Sequence, residues 1–260
     1  MARTPRAEYL ILDIETVPDT DRWPRPETPE GVDPPFPPTW AHRIVVFGYL
    51  WLDHDYRLAR LGVMGDPPDA NTSPDDRERH LLEMFSSVVG SARPVLVTYN
   101  GRSFDLPVIA VRSLCHAVPL GWYYRDKTVR DRRSDEGHLD LCDWLADHGA
   151  VRAGKLDAIT RLIGLPGKGE INGSQVEGLY KSGQLELVQQ YCLGDVVQTA
   201  LLFLRFRLLQ GRLSRAVYRQ RVEELLEQLA QDGRVASVLA PERLDRERLL
   251  GPVIVEQNLE

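Results

Sequence analysis

Asp13 and Glu15 stand two residues apart in "LILDIET", directly after an apolar run, and Tyr191 and Asp195 stand four apart in "YCLGDVVQT", inside a long apolar stretch. On a strand, a spacing of two puts both carboxylates on one face. On a helix, a spacing of four puts the phenol and the carboxylate on the same side, one turn apart. An ionised acid in apolar surroundings is costly unless it is paired or bound to metal. Three such acids on two core elements therefore call for a common cation. A third segment, "VTYNGRSFDLPVI", ends an apolar run in Asn100-Gly101 and then presents Phe104 and Asp105.

Taken singly, each piece has a plainer reading. An Asp-x-Glu on a strand is ordinarily a solvated face. Asn100-Gly101 reads as a turn, and Asp105 as an acid favoured at a helix N-terminus by the backbone dipoles. The conjunction favours the site: three motifs in order, each on the element that its chemistry needs, two of them in apolar surroundings.

Those elements follow from periodicity and punctuation. Residues 8–14 form a first strand, followed by a proline-rich loop over residues 18–40. "HRIVVFGYLWL" (42–52) and "YRLARLGVM" (56–64) read as a hairpin around "DHD", completing an antiparallel three-strand meander. "SPDDRERHLLEMFSSVV" is a helix, with Ser73 as cap and Pro74 at its first position. Then come a strand in 93–101, a helix in 103–117, "HLDLCDWL" (138–145) as a strand running into a turn, and a helix in 155–165. Residues 184–210 are apolar nearly all round and read as a buried helix ending before Gly211. Residues 212–232 place Val222, Leu225, Leu226 and Leu229 at helical spacing, a helix for packing on the domain or for a partner, the former preferred. The last apolar run, in 249–260, suits an added edge strand or a contact with another chain. The expected fold is α/β: a mixed central sheet, meander plus parallel strands, covered by helices, with an extra C-terminal helix. Residues 1–210 form the main domain and 211–260 an appendage packed on it.

At 260 residues and 43% hydrophobic the chain can bury a full core. It holds no apolar run of membrane-spanning length, and "MARTPRAEY" lacks the apolar stretch of a signal peptide, so the expected location is the cytoplasm, with no membrane partner. Cys115, Cys142 and Cys192 form no Cys-x-x-Cys and read as reduced, buried thiols. A formal net charge of -6 weighs against nucleic acid until acids gathered around divalent cations are set apart from the sum.

With these residues on the page, the three motifs resemble those of DEDDy-type 3′–5′ exonucleases. The nearest branch is the predicted bacterial exonucleases similar to the proofreading domain of family-B DNA polymerases. The resemblance covers residues 8–210 and implies a ribonuclease-H-like fold and hydrolysis of single-stranded DNA from its 3′ end, releasing nucleoside 5′-monophosphates. It implies two Mg²⁺ or Mn²⁺ ions held by Asp13, Glu15, Asp105 and Asp195, with Tyr191 orienting the attacking water. It also points to Ile14, Thr16, Asn100 and Phe104 at the terminal nucleotide, although Phe104 equally suits the core. A polymerase or helicase would be a natural partner. RNA in place of DNA, or a binding module on the same fold, are the alternatives.

Further substrate contacts are less specific. "WYYRDKTVRDRR" (122–133), with Arg125, is either a base-stacking, phosphate-tracking strip or a solvated loop whose Arg-Asp pairs cancel. Lys155 and Lys168 are further candidates. His138 reads as structural, and Asp140 as an acid either lining the cleft or bonded to neighbouring backbone.

Overall fold

The computed structural model describes residues 7–29, 34–65, 72–167 and 173–252. Lys168 and most of the terminal apolar run, 253–260, lie outside them.

Five strands form one sheet in the order β3-β2-β1-β4-β5, with β1 at Ala7–Pro18, β2 at His42–Asp53, β3 at Leu58–Met64, β4 at Val95–Thr98 and β5 at His138–Asp140. β1, β2 and β3 pair antiparallel, and β4 and β5 extend the sheet in parallel with β1. The expected mixed sheet is present. The first strand runs to Pro18 instead of ending at residue 14, because β2 pairs with it along its whole length. Accordingly, the irregular proline-rich excursion begins at Asp19, and residues 39–41 make a short helical turn before β2. The Asp19 amide donates to the Ala41 carbonyl at 2.8 Å and closes the base of this excursion.

Alternation along β1 sends Leu10, Leu12 and Ile14 into one apolar layer and Ile11 into the other. The first layer is covered by α1 (Pro74–Ala92) and α2 (Asp105–Cys115). As its sequence predicts, α1 opens with the Ser73 hydroxyl accepting from the Asp76 amide at 3.1 Å and with Pro74 in the first turn. Short helices α3 (Gly121–Arg125) and α4 (Lys127–Arg130) follow, so most of the basic-aromatic stretch is helical, with residues 131–133 leaving as a turn. Trp122 packs edge-on against Phe85 of α1, and Arg132 pairs with Asp143, outside the stretch. Its own acids cap amides: Asp126 accepts from Thr128 and Asp131 from Arg133.

The opposite layer is built on α8 (Leu185–Leu209), buried over most of its surface, with α5 (Leu141–Leu145), α6 (Leu156–Leu162) and α7 (Val176–Lys181) before it. β5 thus runs into a helix, where a turn was expected, because the Asp140 carboxylate accepts from the Cys142 and Asp143 amides and caps it. α9 (Arg215–Leu229) buries Tyr218, Val222, Leu225, Leu226 and Leu229 in the core that α8 shares, and the Tyr218 hydroxyl donates to the Leu249 carbonyl in α10 (Arg246–Leu250) at 2.6 Å. Cys142 and Cys192 are buried, but Cys115, at the last position of α2, is exposed. None of the described helices is long and apolar enough to cross a membrane.

A charged cluster ties the strand ends to the first layer. Arg112 of α2, only 1% exposed, donates from Nη1 to Asp19 at 2.8 Å and from Nε to Glu78 at 2.7 Å. Arg43 reaches Asp19 at 3.0 Å, and Glu78 accepts from the Ile44 amide at 2.8 Å. Burial alone would raise the Asp19 carboxyl, but hydrogen bonds from Arg112 and Arg22 and the nearby Arg43 charge outweigh it and hold the group below its ordinary value. A lowered native affinity for protons stabilises the fold above the usual carboxylate range, and that contribution is lost on acidification. Replacing Arg112 by Leu removes the one guanidinium that two buried carboxylates share, and should lower unfolding free energy by about 3–5 kcal/mol in urea denaturation at pH 7. A change below about 1 kcal/mol would contradict this account.

Candidate active site

β4 stays paired with β1 only through the Ile11–Val97 step, and beyond it the two strands separate. The Ile14 amide, past the end of that ladder, donates instead to the Asp105 carboxylate at 3.2 Å. Asp105 is the first residue of α2 and 4% exposed, so one side chain both replaces a missing strand partner and brings a carboxylate to the end of β1.

The turn before it is held from β5. Asp140, 1% exposed, accepts from the Asn100 and Arg102 amides at 2.8 Å each, besides capping α5. Of the two expectations for Asp140, its bonds are those of the backbone-bound acid. Asn100 takes the left-handed conformation, φ +68°, as an Asn-Gly turn requires. His138 is fully buried, its Nε2 lies 2.8 Å from the Thr98 hydroxyl, and burial pushes its pKa down to about 3, a structural role as expected.

Asp13 and Glu15 project from β1 toward α8, where Cys192 and Asp195 face them. One donor atom each from Asp13, Glu15 and Cys192 lie within 4.8 Å of one another. Asp13 is half-buried, and its carboxyl is pushed well above its ordinary range, first by burial and then by the charges of Asp105, Glu15 and Asp195. Asp105 is pushed up to about 7 by burial, against hydrogen bonds from its own and the Ile14 amides, with Asp140 adding to the rise. The Tyr191 phenol is raised by burial, by the charges of Asp195, Glu15 and Asp13, and by a hydrogen bond with Asp195, so it stays a neutral donor at pH 7. The four acids and the tyrosine singled out in the sequence therefore act on one another across β1, α2 and α8.

Cys192 is the residue of this group that sequence reasoning did not place. Its Sγ lies 3.6 Å from both the carbonyl and the carboxylate of Asp13. A Cβ on Gly48, opposite Asp13 on β2, would come within 2.6 Å of that sulfur. Gly48 thus sets how closely α8 approaches the sheet; a glycine inside an apolar strand was the available signal.

Glu15 opens onto a cleft of about 480 Å³ that Ile14, Thr16 and Phe104 also line, with His42 and Phe36 beside them. Phe104 packs partly against the first core layer as well as lining the cleft, so its core role is observed. Asn100 is exposed at its turn. Arg125 and Lys155 are not among the cleft's lining residues: Arg125 ends α3 beside α1, and Lys155 precedes α6, next to Gly154, whose carbonyl accepts from Tyr99 at 2.6 Å.

Residues 34–240 match a family described as predicted 3′–5′ exonucleases related to the exonuclease domain of PolB. The match contains the Asn100–Asp105 and Tyr191–Asp195 segments and begins after Asp13 and Glu15. The catalytic polypeptide of DNA polymerase epsilon from Schizosaccharomyces pombe is 29% identical over 133 residues, 48% of this chain and 6% of its own length. The family B DNA polymerase of the archaeon Pyrobaculum calidifontis superposes with a TM-score of 0.50 at 17% identity, over 91% of this chain and 27% of the polymerase, and shows a shared fold, ribonuclease-H-like. E. coli Exonuclease I in complex with a dT13 oligonucleotide gives a TM-score of 0.39 at 14% identity, over 88% of this chain and 45% of its own. The chain spans only a small part of the polymerases it resembles.

Two outcomes follow from this geometry. With Asp13 and Asp105 raised, the native state without metal holds protons that the unfolded chain has released, so stability falls as pH rises. The buried, lowered His42 and His138 act oppositely, but most of their effect lies below the free-histidine pKa of about 6.5. Between about pH 6.5 and 8, thermal midpoints in EDTA should fall by several degrees, on the order expected for one or two kcal/mol, and Mg²⁺ should reduce the fall; a flat profile in EDTA would refute it. Gly48→Ala should cost about 1–3 kcal/mol, and adding Cys192→Ala should recover much of it in a double-mutant cycle.

Proposed function

We infer the activity from the premise that this chain belongs to the family of predicted 3′–5′ exonucleases related to the exonuclease domain of PolB. On that basis it is a metal-dependent nuclease that shortens single-stranded DNA from the 3′ end. The observation that carries this reading is the convergence of Asp13, Glu15, Asp105 and Asp195 from three distant segments, where the leading charges acting on Asp13 are all of its own sign. A scaffold serving only to bind a partner has no use for such crowding.

The donors suit divalent cations: carboxylate oxygens within ion-sharing distance, partly desolvated and mutually repelling, with one buried thiol beside them. Asp13, Glu15, Asp105 and Asp195 would hold Mg²⁺ or Mn²⁺. Two such ions supply a hydroxide-like nucleophile near neutral pH and offset charge on the leaving 3′-oxygen. The protein's own groups perform the remaining tasks. Tyr191, a neutral phenol, holds the attacking water by hydrogen bond while that water's oxygen adds to phosphorus. The bond from phosphorus to the 3′-oxygen breaks, that oxygen takes a proton from solvent, and the attacking water gives one up to solvent. A nucleoside 5′-monophosphate leaves, and the strand keeps a new 3′-hydroxyl. Ile14, Thr16, Asn100 and Phe104 would hold the terminal nucleotide, and Arg125 and Lys155 would meet phosphates further along the strand. Residues 1–210 would carry this activity, with 211–260 bracing α8.

An oligonucleotide labelled at its 5′ end should shorten stepwise with Mg²⁺ or Mn²⁺ and persist in EDTA. Asp13→Ala and Asp195→Ala should each lower kcat by about 10³-fold or more, and Tyr191→Phe by about 10²-fold, with circular dichroism unchanged. Equal persistence of the substrate with and without metal, or undiminished turnover in the Asp variants, would overturn the reading.

A further inference from the structure

The outer wall of the cleft beside Glu15 comes from the proline-rich excursion, which the acid cluster does not use. Phe36, between Pro35 and Pro37, is 76% exposed. Its ring is nevertheless held in place. The centroid lies 4.8 Å from the His42 ring and 6.1 Å from Phe104, and His42 meets Phe104 edge-on at 5.0 Å. His42 is bonded at both nitrogens. Nε2 lies 2.9 Å from the Pro37 carbonyl, which can only accept, so this nitrogen carries the proton and Nδ1 accepts from the Thr16 hydroxyl at 2.9 Å. Burial keeps the imidazole neutral by lowering its pKa. Thr16, next to Glu15 on β1, is thereby linked through one ring to the residue that follows Phe36.

The flanking prolines restrict the backbone further, so little conformational freedom remains to be lost when something stacks on the phenyl face. Arg25, from the same excursion, pairs with Glu177 of α7 at 2.7 Å and fastens the wall on its other side. A rigid, exposed aromatic face over a cleft whose inner side carries a candidate metal ligand fits a flat, π-faced group attached to a phosphate. Among the parts of a nucleic-acid strand, that group is the base. We propose that Phe36 is the base-stacking surface of this cleft, receiving a base at or next to the 3′ end of a single strand; this rests on the nuclease reading above.

The test measures binding of a fluorescein-labelled oligothymidylate by anisotropy in Ca²⁺, alongside cleavage in Mg²⁺. Phe36→Ala should raise Kd by about 10-fold, Phe36→Trp should restore it, and a strand whose last two 3′ nucleotides lack bases should bind wild type and Phe36→Ala alike. Unchanged affinity in Phe36→Ala, or an equal loss on the baseless strand, would overturn the role of Phe36. If wild type cuts while Phe36→Ala binds normally, only this inference fails. If wild type binds in a base-dependent way that Phe36→Ala loses, yet never cuts, the nuclease reading fails and the stacking surface stands. Absence of binding by wild type would overturn both.

Discussion

Like charges held at short range in partly dry surroundings are the condition that the rest of this structure serves. Asp13, Glu15, Asp105 and Asp195 repel one another, and burial adds to the penalty by removing water. Left to themselves, flexible side chains would splay apart. The elements that carry them allow little movement. β1 is the central strand, α8 is buried along most of its length, and Asp105 is bound to the Ile14 amide that β4 no longer reaches. Asp140, bonded to four amides, fixes the turn that leads to Asp105. The repulsion is therefore stored in a rigid frame, available to be relieved by a cation.

Two opposite solutions to the problem of shielded charge lie along β1 and its immediate continuation. Just past the strand's far end Asp19 is fully buried, yet Arg112, Arg43 and Arg22 surround it and its carboxyl is held low. A few residues back along the chain, Asp13 is surrounded chiefly by other acids and its carboxyl is driven up. Burial pushes both groups in the same direction, so it does not distinguish them; the sign of the neighbouring charges does. Matched charge fastens the strand ends to α1 and α2, and unmatched charge marks the place where something from solution must supply the balance.

Much of this was legible in the sequence because it depends on short-range spacing. The intervals of two and four fixed which side chains share a face, the Ser73-Pro74 signal placed α1, and the apolar 184–210 run placed α8. What spacing could not supply was the partner of each face. The strand at 8–14 continues to Pro18 because β2 pairs with it, a fact that lies in residues 42–46. The 122–133 stretch reads as either a base-stacking strip or a solvated loop, and neither reading shows the surface that α1 provides for Trp122. Cys192 read only as a buried thiol because its place beside Asp13 depends on Gly48, distant in sequence, having no side chain where the sulfur must sit. Phe36 was hidden among prolines whose composition describes an irregular segment but not the direction in which it folds back.

One short segment of β1 connects these parts, next to a break in its pairing with β2. Opposite Glu15 stands Val46, but opposite Thr16 stands Ile44, so Val45 is an extra residue on β2 at this step. Along β1 itself, which is continuous, successive residues face opposite sides of the sheet. Ile14, Glu15 and Thr16 nevertheless all line the same cleft, Glu15 on the side of the acid cluster and Thr16 bonded to His42 beside the aromatic wall. A phosphate and its base are covalently joined and must be met together, by different chemistry, from nearly the same place. Consecutive residues of one strand thereby bring an acidic surface and an aromatic one to a single cleft.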